Sequence, residues 1–321
     1  MQKTASTILA ARSLPFTPLP CMERAMKHHR LLSGILITFA GGILWGFSGV
    51  CGQYLFEEKG VSANWLVPLR LLLAGLTLVL YYAVRLRRRV FAPLLDFSLL
   101  PQFLAYSLLG LMLTQYFYFY SIELSNAAVA TVIQYTAPAM ILALVCIHER
   151  RLPARTEFVA LVLAILGVVI LATHGELGRL VISEKALVFC LLSAVCVCVY
   201  NLAPRTLNRT YPVVLNLGWG MTLGGVALGL LTRCWTLPGV SDASGAAAFV
   251  AVVFFGTILA FSFYMIGVHR IGPAKASLIA AIEPVSAALL AHFWLGTEFV
   301  FLDFVGLVLI LSCIFLLAKK G

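Results

Sequence analysis

Glu283 has the most chemical leverage in this sequence, because it stands about ten residues into an apolar run that begins near Pro273. At 1.5 Å per residue its carboxyl lies roughly 15 Å into a hydrocarbon layer about 30 Å thick, near the midplane. An ionisable group there is costly, and it faces a bundle interior or a water-filled cavity. Two readings follow: a carboxylate that binds a proton or a substrate amine, or a carboxyl that is neutral or bonded to backbone beside Pro284. Arg70 is a second charge inside an apolar run, roughly 9 Å below one surface by the same rise. It can hold a substrate carboxylate, pair with Glu283, or snorkel to the interface.

Neutral groups surround these charges in the sequence. Gln134, with Tyr135 and Thr136, offers hydrogen-bonding groups at membrane depth, suited to a solute or to a neighbouring helix. Tyr116 and Tyr120 share a helix face at i, i+4, and Tyr264 with Phe261 forms a similar pair. Aromatic walls bind apolar or cationic solutes, while interface belts and cores are the competing uses. Pro138 and Pro284 each remove a backbone donor within an apolar run, which bends the helix and frees a carbonyl one turn earlier.

Known catalytic and metal signatures are absent from the sequence. His148-Glu149 is not HExxH, no GxSxG or GxxxxGK[ST] occurs, and Glu283 has no second carboxylate at its level. The eight cysteines include no CxxC pair, and Cys51, Cys146, Cys190, Cys196, Cys198 and Cys313 lie in apolar runs, so neither a metal site, a cofactor nor a disulfide framework is expected.

The elements that must position Glu283 and Arg70 are set by composition. The 321 residues are 61% hydrophobic and 11% charged, against roughly 25% charged in soluble domains, so lipid is the solvent. Hydropathy places apolar spans near 32–52, 65–84, 101–120, 126–147, 156–173, 186–204, 213–231, 247–267, 273–294 and 301–318. The net charge of +10 does not form the single patch that nucleic-acid binding needs. With the N-terminus inside, 18 of the 23 Lys and Arg fall on the cytoplasmic side and 4 on the other (Lys59, Arg179, Lys185 and Arg233), with Arg70 within a span. That asymmetry predicts both termini in the cytoplasm. Residues 1–31 read as a basic, disordered arm with Met22 and Met26 as alternative starts, and 319–321 as a short tail.

A shift of 146 positions brings the halves into register: Tyr54 on Tyr200, Gly110 on Gly256, Tyr118 on Tyr264, Pro138 on Pro284, and Asn216 as the mate of Arg70. Repeats over 32–173 and 186–318, joined by a linker over 174–185, hold five spans each. An odd number requires the second copy to enter the membrane upside down. The expected architecture is an all-α membrane protein of ten transmembrane helices, two inverted five-helix repeats around a central cavity. Such halves can open their shared space to one face and then the other, which points to a carrier of small solutes. Gly220, Gly224, Gly225 and Gly229 let one span pack closely on its neighbour.

Trp45-Gly46, Pro68-Leu69-Arg70, Ala137-Pro138-Ala139, Glu283-Pro284-Val285 and Leu295-Gly296-Thr297-Glu298 resemble the two EamA repeats of the drug/metabolite transporter superfamily over about 33–318. His148-Glu149 stands where that family usually has Gly-Glu. The resemblance implies a ten-helix basket whose cavity is formed by the first four helices of each half, and export of amino acids or related metabolites across the inner membrane. Glu283, Arg70, Gln134, Tyr116, Tyr264 and Asn216 are the residues expected at a substrate or coupling site, with protons as the coupling ion. A flippase for a lipid or lipid-linked sugar on the same scaffold, and an intramembrane enzyme, are the alternatives.

Overall fold

A computed structural model describes residues 20–176 and 180–318. Residues 1–19 of the expected N-terminal arm, 177–179 of the expected linker and the tail 319–321 lie outside the described residues. Helix α1 runs Pro20–Glu57, so helical structure starts ahead of residue 32. It is followed by α2 (Ala63–Leu86) and α3 (100–124), which passes through a π-turn at Ala105–Met112. Then come α4 (Ala127–Gln134), α5 (Ala137–His148) and α6 (Arg155–Thr173). The second half comprises α7 (Glu184–Leu202), α8 (Val213–Thr232) and α9 (Ala243–Ile271), with a π-turn at Phe254–Leu259. It closes with α10 (Pro273–Ala280), α11 (Glu283–Leu295) and α12 (Phe301–Ala318).

Local chemistry explains the boundaries. The side chains of Asn126, Ser183 and Asp242 accept hydrogen bonds from Val129, Ala186 and Gly245 N–H and so cap α4, α7 and α9. Gly296, at φ 67°, ends α11 in the left-handed conformation that glycine adopts without strain.

Among the described residues, eight helices are long and apolar enough to cross a membrane, and Phe301–Leu316 is a shorter apolar helix. The stretch 100–124 is not among the eight; it carries Gln102, Thr114, Gln115 and four tyrosines, which lower its hydropathy. No strand occurs among the described residues.

The prolines act differently from a kink inside a continuous helix. Pro138 and Pro284 fall in the first turn of α5 and α11, where a missing N–H leaves no helical bond unmade. The chain instead breaks ahead of them, at Tyr135–Thr136 and Ala281–Ile282. These breaks are separated by the same 146 positions as the sequence repeat, and Gly110 and Gly256 occupy the two π-turns.

Cross-packing between the halves is specific. Gly229 faces Pro68, Gly225 faces Leu72 and Gly218 faces Leu78, so α2 and α8 run antiparallel; a Cβ on Gly225 would come within 2.6 Å of the Leu72 amide nitrogen. Gly167 against Ile310 and Gly306 against Leu171 set α6 antiparallel to α12. α1 lies along α9, with Gly34 at Ile271 and Ser48 at Gly256. α3 lies along α7, where Gln102 Nε2 donates to the Ala203 carbonyl and Ser193 Oγ to that of Thr114. Exchanging α1 with α7, α2 with α8, α3 with α9 and α6 with α12 leaves this set of pairings unchanged.

Candidate functional site

A cavity of about 830 Å³ lies between the two halves, within the range of small-molecule sites. Arg70 and Phe119 line its deep end. From there it extends between the helices to the end of the bundle that carries Arg85, Arg87, Arg88, Arg89 and Arg209, where Glu157, Asn201, Pro204 and Asn208 line it. The opposite end is closed by polar contacts: Lys59 Nζ with Asp242 Oδ2 at 2.7 Å, and Gln53 Nε2 with Thr297 Oγ1 at 3.2 Å.

Arg70 is 3% exposed, so it does not snorkel. Its Nε donates to Thr257 Oγ1 at 2.7 Å, and its guanidinium lies 4.4 Å from the centroid of the Phe119 ring. Thr257 Oγ1 in turn donates to the Val252 carbonyl, five residues back across the π-turn of α9. Arg70 Nη1 is buried without a hydrogen-bond partner. Burying such a donor is costly unless something accepts from it. Trp45 Nε1, Ser48 Oγ and Thr114 Oγ1 are in the same condition, and all four side chains line the cavity.

Glu283 is 9% exposed and opens α11, so its carboxylate faces the positive end of the helix dipole. Oε2 accepts from the Tyr135 hydroxyl at 2.9 Å. Pro284 has no N–H to give the Ala280 carbonyl one turn earlier; the Tyr135 hydroxyl lies 3.0 Å from that oxygen as well. Glu283 and Arg70 line one cavity but form no ion pair with each other among the described residues. Close packing of α1 holds α11 in place: a Cβ on Gly46 would overlap Ser286 Oγ and come within 2.8 Å of the Ala287 nitrogen.

Aromatic rings form much of the wall. Trp45 packs edge-on against Phe261 with centroids 5.0 Å apart and lies 5.1 Å from Tyr264; Tyr106 stacks on Tyr200 at 5.7 Å.

Of the residues expected from sequence, Glu283, Arg70, Gln134, Tyr264 and Pro138 line the cavity. Gln134 Nε2 donates to Ser193 Oγ at 2.5 Å. Tyr116 sits elsewhere: it donates to Asn64 Oδ1 at 2.8 Å and stacks on Tyr120. Asn216 is buried and outside the lining, its Nδ2 donating to the Leu207 carbonyl at 3.2 Å and to Asn208 Oδ1 at 3.0 Å. Pro284 is buried and also outside it. Sequence reasoning gave no binding role to Ser48, Thr114, Tyr106 or Tyr200, because a lone hydroxyl or phenol in a span reads as helix packing. A signal was present, since Tyr200 is the repeat mate of Tyr54.

A helical bundle that buries unpaired polar groups around an elongated cavity is the build of a multi-pass membrane transporter. The chain belongs to the EamA-like transporter family, whose model matches it twice, at residues 32–173 and 184–319. It is therefore a permease of the drug/metabolite transporter type, with an internally duplicated domain. A relative from Salmonella typhimurium (strain LT2), named "Uncharacterized inner membrane transporter YicL", is 35% identical over 288 residues, which is 89% of this chain and 95% of that protein. A solved structure described as "Crystal structure of protein" superposes with a TM-score of 0.61 at 22% identity, over 90% of this chain and 98% of that one, a likeness of fold.

Proposed function

We propose that this protein exports amino acids or closely related zwitterionic metabolites across the inner membrane by alternating access. The observation that carries the reading is the disposition of Arg70 and Glu283: opposite charges, both buried, lining one cavity and unpaired with each other. An α-amino acid has the complementary pair. Its carboxylate suits the free Nη1 of Arg70, which would gain a charge-assisted hydrogen bond. Its ammonium suits Glu283 and the faces of Trp45 and Tyr264. A proton on Glu283 would compete with that ammonium, which makes proton exchange the coupling step of this proposal.

In this reading the polypeptide crosses the bilayer ten times, with the stretch 100–124 and Phe301–Leu316 completing the count. The two copies face opposite ways, and both termini lie in the cytoplasm. Support comes from the antiparallel packing of the repeat mates α2 with α8 and α6 with α12. Amino-acid export is tested by comparing intracellular and extracellular metabolites in cells with and without the gene, followed by uptake of the labelled solute into inverted membrane vesicles. Identical metabolite profiles and no uptake would remove the amino-acid reading. Accumulation of a lipid precursor instead would move the assignment to a flippase.

A further inference from the structure

The closed end of the cavity is held by a compact latch between the two copies. Lys59, just past α1, places Nζ 2.7 Å from Oδ2 of Asp242, which caps α9. Ser244 Oγ donates to the same Oδ2 at 2.6 Å, the Tyr54 hydroxyl donates to Ser244 Oγ at 3.2 Å, and Lys59 Nζ sits 5.3 Å from the centroid of the Tyr54 ring. The offset of 146 carries all four positions to the other end of the bundle. Tyr54 becomes Tyr200, Lys59 becomes Arg205, Asp242 becomes Asp96 and Ser244 becomes Ser98. Aromatic, cation, acid and hydroxyl all recur. With only 13 acidic and 23 basic residues in 321, coincidence is a poor account of an acid on an acid and a base on a base at one offset.

The acid and hydroxyl of the second set are joined as in the first, by a serine hydroxyl two residues on that donates to the carboxylate. Ser98 bonds Asp96 Oδ1 through its hydroxyl at 2.5 Å and its N–H at 3.1 Å. Yet among the described side chains Asp96 Oδ2 accepts from the Tyr211 hydroxyl at 3.0 Å, whereas Asp242 Oδ2 is on Lys59. The described partners of the two acids differ in this way, and the cavity mouth runs beside Asp96's end, along Tyr200, Asn201, Pro204 and Asn208.

We propose that Tyr54, Lys59, Asp242 and Ser244, and Tyr200, Arg205, Asp96 and Ser98, are the two members of an alternating latch, one closed while the other is open. The proposal rests on the carrier reading. When two copies exchange conformations, contacts that close one end in one state reappear between the equivalent residues at the other end in the second state. In the second state Asp96 passes from Tyr211 to Arg205, and Asp242 leaves Lys59. The side chains of Lys59 and Asp242 are 22% and 46% exposed. An exposed ion pair is a weak bond, as a gate requires if neither state is to trap the protein.

Crosslinking in native membranes tests the latch without any substrate. The pair Asp96→Cys with Arg205→Cys is expected to crosslink poorly with a short bis-maleimide in the otherwise unchanged chain. Adding Lys59→Ala is expected to raise the yield, on the order of threefold to fivefold, the population shift that loss of one exposed pair allows. The exchange Lys59→Asp with Asp242→Lys should return the yield to the starting level. Single substitutions control for the native cysteines and for folding. A yield that ignores or falls with Lys59→Ala, or a pair that never crosslinks, overturns the latch. Crosslink yields that follow this pattern, together with no uptake of labelled amino acid by the unsubstituted chain, would instead count against the amino-acid assignment and leave the latch standing.

Discussion

The Tyr135 hydroxyl lies 2.9 Å from Glu283 Oε2 and 3.0 Å from the Ala280 carbonyl oxygen, so one proton faces two acceptors across the break between α10 and α11. If Glu283 is protonated it can donate to Tyr135 while Tyr135 donates to Ala280, and every group is satisfied. If Glu283 is ionised it claims the tyrosine proton and the Ala280 carbonyl loses its donor. The charge on Glu283 is thereby tied to the backbone at the break. Tyr135→Phe is expected to slow uptake of labelled amino acid into inverted vesicles on the order of tenfold, the effect of one unsatisfied buried group. Glu283→Gln should abolish net uptake with membrane abundance intact. Wild-type rates in both variants would take the pair out of the mechanism.

Arg70 gives a prediction that separates charge from geometry. Lysine keeps the charge but loses the planar fork, and cannot serve Thr257 and a substrate carboxylate at fixed angles. Arg70→Lys is expected to raise the apparent KM on the order of tenfold or more with a smaller change in maximal rate. Full activity in Arg70→Ala would show that the substrate carboxylate is held elsewhere.

Packing of α1 on α11 predicts a contrast between two glycines. A Cβ at Gly46 overlaps Ser286 Oγ and crowds the Glu283 carbonyl oxygen and the Ala287 nitrogen at 2.8 Å, two of them backbone atoms that cannot step aside. Gly46→Ala should destabilise by about 1–3 kcal/mol, as overpacking does. At Gly229 the nearest atoms to a new Cβ are 3.5 and 3.7 Å away, and alanine is the better helix former by up to about 1 kcal/mol. Thermal unfolding in detergent should lower Tm for Gly46→Ala and leave it level or higher for Gly229→Ala.

The sequence carried the helical architecture because apolar run length and the positions of Arg85–Arg89 or Glu57-Glu58-Lys59 are direct readouts of lipid exposure. Glu283 and Arg70 were legible for the same reason, as charges where charge is expensive. Asn216 and Tyr116 were harder to place. Repeat position put Asn216 opposite Arg70, yet its amide holds the turn ahead of α8; a matched position conveys backbone location but not the direction of a side chain. Breaks at Tyr135–Thr136 and Ala281–Ile282 were not legible in the sequence, since proline alone does not say whether a helix bends or restarts.

The latch at Lys59 should be indifferent to physiological pH. The hydrogen bond from Lys59, more than any other contact, holds the Asp242 carboxyl down at about 2, below its ordinary 3.8. The same bond raises Lys59 above 10.5. A depressed acid contributes fully above its ordinary value and fails as pH falls through the lowered one; a raised base contributes fully below its ordinary value and fails as pH rises through the raised one. Both are charged from about pH 4 to 10. In a chain carrying Glu283→Gln, which removes the proton-linked group of the cavity, maleimide labelling of the thiol introduced by Asn201→Cys, normalised to the unfolded chain, should stay flat across about pH 5 to 9. A steep change there would mean that another titrating group governs which end is open.

The packing of α6 on α12 bears on direction through the bilayer. Gly167 meets Ile310, Leu171 meets Gly306 and His174 pairs with Asp303 at 2.7 Å, so the end of α6 lies beside the start of α12. α6 and α12 are repeat mates, and mates that run antiparallel within one membrane enter it from opposite faces. Reporter fusions following Ala172 and Leu317 should therefore read opposite sides, the first periplasmic and the second cytoplasmic, in keeping with the arginine-rich loops. Fusions reporting the same side would require parallel copies. Parallel copies could not exchange conformations across the membrane plane, and the carrier cycle and the paired latches would both fail with them.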